Sequence, residues 1–266
     1  MKSRNLVLAA LAATVTLGLA FDATAPRSIA RAEDPPAAPP AETADQKATA
    51  FLKETKSAMS KQADADAKTA IAALVKIWKD EAVTDEVKKG VLDLLPRNAK
   101  EVDKPEVAKE AIAAFGELSP AEGAKLALDA IGACLKTKAP IKEYYSAGFA
   151  SLKKLADPSK STVSALVDSL KYKDDEVIGK AADAIAGYKA APGKVRKELF
   201  EELLKQTEGV AAGAKQADNA NAKRKWNIIM SNVNAAFQAL SGQNLADPAA
   251  ARQWFNDNKK NEKAWS

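Results

Sequence analysis

Apolar residues recur at helical spacing along most of this 266-residue chain, and this periodicity constrains its fold more than any other feature. From about Glu42 onward, apolar or small side chains return every three or four residues, which is the spacing of one face of an α-helix. Long alternating β-branched runs, the mark of strands, are absent from the sequence. The periodicity predicts helices over 43–60, 65–80, 85–96, 105–117, 120–136, 141–156, 159–171, 175–189, 193–207, 222–240 and 248–259.

The composition agrees with an all-α fold. The chain is 47% hydrophobic but only 6% aromatic, and alanine dominates its apolar residues. Small side chains allow helices to pack closely in layers. The breaks between helices carry capping residues: Ser119-Pro120-Ala121-Glu122 matches a capping box, and Asp157-Pro158 and Asp247-Pro248 each predict an Asp cap followed by proline.

Four of the predicted helices share one pattern of residues. Each begins with an acidic residue and has apolar or small residues at the same five places, a stripe wide enough to bury against two neighbours. A second amphipathic helix precedes the first and the last of the four. The four segments are EVKKGVLDLL (86–95), EVAKEAIAAF (106–115), EYYSAGFASL (143–152) and EVIGKAADAI (176–185).

This arrangement resembles HEAT repeats, in which an outer helix, a short charged turn and an inner helix beginning Asp/Glu-Val follow one another. The resemblance is best over 160–190 and next best over 67–96, and 120–136 with 141–156 forms a third hairpin. The four segments are unevenly spaced, and 105–117 lacks a clear partner. The resemblance therefore implies an irregular α-solenoid of antiparallel helical hairpins, HEAT/armadillo-like, with about 10–11 helices over 43–260.

The C-terminal part shows two further features. Residues 209–224 are polar, small and low in complexity, which indicates a surface connection or a frayed helix start. After them, Asp247-Pro248 introduces a last helix with the adjacent aromatics Trp254 and Phe255. This ending is similar to the closing segment of exported bacterial HEAT-repeat proteins, and it implies a C-terminal aromatic capping helix.

The N-terminus has the features of an export signal. Lys2 and Arg4 precede an apolar stretch over 6–21, and small residues then offer cleavage after Ala32 or after Ala20. We expect a signal peptide over 1–32, with an uncleaved anchor as the alternative, and a Pro/Ala-rich linker over 33–42. A periplasmic or extracellular location follows, without stable membrane insertion after cleavage.

The residues that the chain lacks exclude several kinds of chemistry. It has no histidine and a single cysteine, Cys134, so it can form neither a Ser-His-Asp or Cys-His constellation nor a His/Cys zinc site. We expect no catalytic residues, metal or cofactor, and no enzymatic activity. The formal charge of +5 falls to +2 when residues 1–32 are removed, so no nucleic-acid partner is expected.

The expected role is therefore a scaffold or adaptor that binds a protein or peptide on a solenoid surface. The residues that the sequence offers for such a surface are Tyr145, placed to face the concave side, and Lys89, Lys109 and Lys180, which occupy neighbouring places in the superposed helices. Those lysines would also suit an anionic ligand, although lysine is an ordinary solvated-face residue. Two alternatives remain: a carbohydrate-active enzyme with an α-helical toroid and an acidic pair, and a polyanion-binding module.

The remaining notable side chains have structural interpretations. Trp78 and Trp226 follow apolar helical spacing and are expected in the core, and Trp254 with Phe255 is expected to pack the cap. Trp265 is expected to be exposed, because it lies next to the C-terminal residue. Cys134 ends an apolar helix and is expected to be buried and inert.

Overall fold

The apolar stripes form helices close to the predicted positions. The computed structural model describes residues 42–58, 63–100 and 103–265. These residues contain no strand, so the all-α prediction is confirmed. Short 3-10 helices follow α4, α8 and α11, at Phe115–Glu117, Ala186–Ala190 and Glu262–Ala264. The α-helices are α1 (Ala44–Ala58), α2 (Asp64–Lys79), α3 (Asp85–Asn98), α4 (Pro105–Ala114), α5 (Pro120–Leu135), α6 (Lys142–Leu155), α7 (Lys160–Ser169), α8 (Asp175–Ile185), α9 (Gly193–Ala214), α10 (Ala220–Ser241) and α11 (Pro248–Asn258).

The chain from Glu42 onward groups into one compact unit. The predicted signal peptide at 1–32 and the predicted linker, except for Glu42, lie outside the described residues. Among the helices that are described, none is both long enough and apolar enough to cross a membrane.

Contacts between the helices run in two rows. The first row holds the odd-numbered helices, each of which packs on the next odd-numbered helix. The second row holds α2, α4, α6, α8 and α10, which pack on one another in the same way. Consecutive helices also pair across the rows, α1 with α2 and so on to α9 with α10, and α11 packs on α9.

The two rows contradict the prediction that the four similar segments form equivalent helices. Segment 86–95 lies in α3, a first-row helix, whereas the other three similar segments lie in α4, α6 and α8 of the second row. α3 pairs with α4, which supplies the partner that 105–117 lacks in the sequence. An apolar stripe shows that a helix has a face to bury, but it does not show in which row the helix lies. α2 carries such a stripe as well, so the stripe does not distinguish α2 from α3.

The prediction of a long connection over 209–224 is wrong for most of that range. α9 continues to Ala214, and α10 begins at Ala220, where the Asn219 side chain accepts a hydrogen bond from the Ala222 amide at 3.0 Å. Ala211 and Gly213 are buried in α9, so its buried face continues past the predicted end at residue 207. Low sequence complexity here reflects small residues that fit beside a neighbouring helix.

The predicted caps have mixed outcomes. Asp247 caps α11, because its carboxylate accepts a hydrogen bond from the Ala250 amide at 3.0 Å. The predicted Asp157 cap is wrong: Ser159 caps α7, and Asp157 accepts a hydrogen bond from the hydroxyl of Ser159. Ser119 makes no side-chain cap on α5, and its buried hydroxyl has no partner among the described residues.

Trp254 and Phe255 pack in a cluster of aromatic rings that is larger than predicted, and we call this cluster the aromatic cap. The Phe200 ring of α9 lies 5.2 Å from Trp254, 5.7 Å from Phe255 and 4.8 Å from Phe237. The sequence predicts an exposed Trp265, but only 4% of this residue is accessible, and its ring lies 5.6 Å from Phe200. Its indole N–H donates to the carbonyl of Asn258 at 3.1 Å, so the polar atom is satisfied inside the cluster.

The backbones of α6 and of the 3-10 helix after α8 come so close together that the contact requires a glycine. Gly187 lies in the 3-10 helix after α8, where a Cβ would stand 2.0 Å from the carbonyl oxygen of Lys153 at the end of α6. Gly209, in contrast, is an exposed position of α9, and a Cβ there would meet no atom within 4 Å. We therefore expect substitutions at the two glycines to change the stability of the fold in opposite directions.

The first prediction compares these two glycines. Gly187→Ala should lower the free energy of unfolding by about 1–3 kcal/mol, because a carbonyl fixed in a helix cannot move aside cheaply. Gly209→Ala should raise it by about 0.5–1 kcal/mol, because alanine favours the helical conformation. Urea denaturation measures both values, and equal effects of the two substitutions would contradict the close contact at Gly187.

The second prediction concerns Trp265. Trp265→Ala should lower the free energy of unfolding by about 3 kcal/mol, because it removes a buried ring from the aromatic cap. The matched control is Met230→Ala, which truncates a side chain that is 41% exposed and should change stability by less than about 0.5 kcal/mol. Equal values in urea denaturation would place Trp265 outside the core.

Candidate functional site

Tyr145 does not offer the exposed contact that the sequence predicts. Only 3% of the residue is accessible, and its hydroxyl lies 3.3 Å from a carboxylate oxygen of Glu176 on α8. Glu176 also forms a salt bridge at 2.8 Å with Lys142. Burial, followed by the nearby charge of Glu176, raises the pKa of Tyr145 to about 12. The prediction that Tyr145 faces an open surface is wrong, and the side chain links α6 to α8 instead.

The three candidate lysines do not form one surface in the second row. Lys89 is exposed on α3 in the first row, whereas Lys109 lies on α4 and Lys180 on α8, with α6 between those two helices. Lys109 forms an (i, i+3) salt bridge at 3.8 Å with Glu106, which is an ordinary helix-surface pair. The predicted shared surface requires α3 to lie in one row with α4, α6 and α8, whereas α3 lies in the other row.

A group of acidic residues at the start of α8 has mainly structural partners. Asp174 accepts a hydrogen bond from the Glu176 amide at 2.9 Å and caps the helix. Asp175 lies 3.6 Å from Arg224 and 3.5 Å from Lys225. The hydrogen bond from Lys142 lowers the pKa of Glu176, whereas a general acid must hold its proton near neutral pH. This group therefore gives no support to an acidic catalytic pair.

An apolar cavity opens between the α3–α4 and α5–α6 hairpins. Its volume is about 410 Å³, and we call it the α3–α6 cavity. The lining comes from the end of α3, the α4 junction with its 3-10 helix, the second half of α5 and the start of α6. Its apolar walls are formed by Pro96, Ala99, Ile112, Phe115, Leu126, Ala130, Ala133 and Ile141.

The polar groups of this cavity are engaged within the protein or lie at its edge. The Thr137 hydroxyl donates to the Cys134 carbonyl at 2.7 Å, and the Cys134 thiol donates to the Ile141 carbonyl at 3.3 Å. The charged lining residues, Lys100 and Asp129, are both exposed. Recognition in the interior must therefore come from apolar contact, with charge available only at the rim.

Cys134 is buried as predicted, with 8% of the residue accessible. Burial raises the pKa of its thiol, so the nucleophilic thiolate is disfavoured. Only Asp129 contributes a carboxylate to the lining. No group of three His, Cys, Asp or Glu residues suited to a metal ion occurs in the described part of the chain. The cavity is thus equipped to bind apolar groups rather than to transfer protons.

Sequence reasoning missed this cavity because it arises between hairpins. Its lining residues have the same apolar spacing as residues that are fully packed, and Ala130 and Ala133 look like ordinary core alanines in the sequence. One signal was available: α5 carries a run of small residues at its C-terminal end, and α3 ends close to Pro96, so neither helix fills the space between them. Only the placement of α3 beside α5 turns these features into a cavity.

Comparison with known proteins assigns no family. No protein-family model matches the chain, and no curated protein sequence matches it significantly. A crystal structure of an engineered protein from a structural genomics consortium is similar over 81% of this chain and 86% of its own, with 17% identity and a TM-score of 0.44. The resemblance to HEAT-repeat proteins therefore stays a prediction.

The third prediction uses the raised pKa of Tyr145. The folded chain holds this proton more tightly than the unfolded chain, in which tyrosine has a pKa of about 10. The resulting stabilisation is complete below pH 10 and is lost as the pH rises toward 12. Wild type should therefore lose about 1–2 kcal/mol more than Tyr145→Phe between pH 9 and pH 11.5 in urea denaturation. Parallel pH profiles for the two proteins would contradict this coupling.

Proposed function

We propose that the protein is a non-enzymatic extracytoplasmic scaffold that binds a protein or peptide partner and seats an apolar side chain of that partner in the α3–α6 cavity. The observation that carries this proposal is the cavity itself, an apolar space of about 410 Å³ with its charges at the rim. Export rests on the signal-like sequence over 1–32.

The architecture supports a scaffold role. We infer that the two rows of helices form an irregular α-solenoid of HEAT-like hairpins, in which each hairpin contacts mainly its neighbours. Such an array presents long surfaces on which a partner can lie. The cavity lies between consecutive hairpins, where a binding segment could contact both α3 and α5.

The dimensions of the cavity favour a peptide side chain over a large cofactor. Ligand pockets usually span about 300–1,000 Å³, and this cavity lies near the lower limit. It has room for one or two large apolar side chains. Lys100 and Asp129 place opposite charges at the rim, where they can pair with polar groups on either side of an apolar anchor.

The enzymatic alternative has weaker support. A glycosidase needs two carboxylates facing a common cleft, one of which holds a proton. Asp129 is the only carboxylate residue in the lining of the α3–α6 cavity. At the start of α8, the hydrogen bond from Lys142 lowers the pKa of Glu176 and keeps this carboxylate ionised. Neither arrangement supplies a proton donor opposite a second carboxylate.

The fourth prediction tests the cavity as a peptide site. Peptides selected from a random peptide library on the full chain should carry a large apolar residue. Ala133→Trp should weaken their binding at least about tenfold, because the new ring covers an exposed position in the cavity lining. Ala121→Trp is the matched control, since it adds the same ring at an exposed site of α5 outside the lining, and it should leave affinity unchanged.

The single cysteine provides a second readout for the same experiment. Cys134 lines the cavity, so a bound peptide should slow its reaction with a maleimide reagent in proportion to occupancy; the reaction is followed at about pH 9, because burial raises the pKa of the thiol. Peptides that bind Ala133→Trp as well as wild type, or that leave the rate of Cys134 labelling unchanged, would show that the cavity is not the site. Selected peptides without apolar residues would contradict the proposed chemistry of recognition.

A further inference from the structure

A second pocket, far from the α3–α6 cavity in the sequence, has the opposite character. It lies between the start of α9 and the chain that follows α11, and its volume is about 670 Å³. Gly193 and Trp265 line it together with the single carboxylate of Glu262. Four lysines complete the lining, Lys194, Lys197, Lys259 and Lys260, and we call this site the lysine pocket.

The lysines of this pocket are not neutralised by acidic neighbours. None of them lies within 4.0 Å of a carboxylate in the described chain, although many other basic residues there form such pairs. The Lys197 ammonium donates to a carbonyl, that of Lys259, at 2.6 Å. Glu262 likewise forms no salt bridge with another described residue. The lining therefore carries a net charge of +3, from four lysines and one glutamate.

Further positive charge lies directly beside the pocket. The Arg196 guanidinium donates hydrogen bonds to two backbone carbonyls, those of Leu240 and Trp265, and pairs with no described carboxylate. Its buried Nε has no hydrogen-bond partner among the described residues. The pocket also borders the start of the 22-residue helix α9, whose first N–H groups receive no side-chain cap. Concentrated positive charge of this kind attracts anions strongly.

We propose that the lysine pocket binds a small polyvalent oxyanion, a phosphate or sulfate group carried by a molecule that fits about 670 Å³. Four ammonium groups around one pocket suit a ligand with several negative charges spread over oxygen atoms. The volume exceeds that of one phosphate ion, so the pocket has room for two such groups or for one group attached to a sugar-sized body. This site is separate from the α3–α6 cavity, and the proposal does not depend on the peptide-binding function.

The fifth prediction is tested by isothermal titration calorimetry on the full chain with two probes, inorganic pyrophosphate and a sulfated heparin disaccharide. At least one probe should bind, and its affinity should fall as the salt concentration rises. Lys194→Glu combined with Lys260→Glu should weaken binding at least tenfold, because charge-assisted contacts become repulsive. The probe that binds more tightly distinguishes phosphate from sulfate recognition.

The matched control changes the net charge by the same amount elsewhere. Lys53→Glu combined with Lys89→Glu replaces exposed lysines of α1 and α3 and should weaken binding less than twofold. Ala133→Trp should have no effect, which separates this site from the peptide site. Circular dichroism should show that both double variants keep the helical content of wild type.

Two results would overturn the proposal. One is the absence of binding by wild type to both probes at millimolar concentration in low salt. The other is an equal loss of affinity in the two double variants, which would show that net charge rather than the lysine pocket attracts the anion.

Discussion

Close packing of small apolar side chains across the two rows of helices is the constraint on which this structure depends. In α8, seven residues are buried, among them Ala181, Ala182 and Ala184, because α6, α7 and α10 all pack on this short helix. Alanine buries little area, so stability has to come from short interhelical distances and many neighbours. The backbone contact at Gly187 is a direct consequence of that closeness.

The last α-helix, α11, is packed differently, because its main helix contacts are with a single helix, α9. At the C-terminal end, large rings replace the small residues: Phe200, Phe237, Trp254, Phe255 and Trp265 form one cluster around α9 and α11. Each ring buries much more area than an alanine, which compensates for the missing neighbour. The same segment brings Trp265 to the wall of the lysine pocket, so the cap also shapes a surface.

The two pockets follow from the same packing rules. In the first row, the space between α3 and α5 is not filled by their small side chains, and the α3–α6 cavity results. At the start of α9, basic residues from separate segments meet without carboxylate partners. Elsewhere, salt bridges such as Lys142–Glu176 and Lys153–Asp183 join α6 to α8 across helices. An apolar cavity and a lysine-lined pocket thus occupy separate places in one helical fold.

The sequence by itself determined the all-α class, nearly all helix boundaries and the aromatic cap, because helical periodicity and the Asp247-Pro248 start are local signals. Only the tertiary structure decided that α3 belongs to the first row, that Tyr145 and Trp265 are buried, and that the lysine pocket exists. The reason is physical: an amphipathic stripe specifies that a face is buried, whereas the neighbour that buries it is chosen by packing between segments distant in the chain. Both pockets lie at such long-range contacts, so a local pattern, such as the small residues at the end of α5, does not by itself show where a pocket forms.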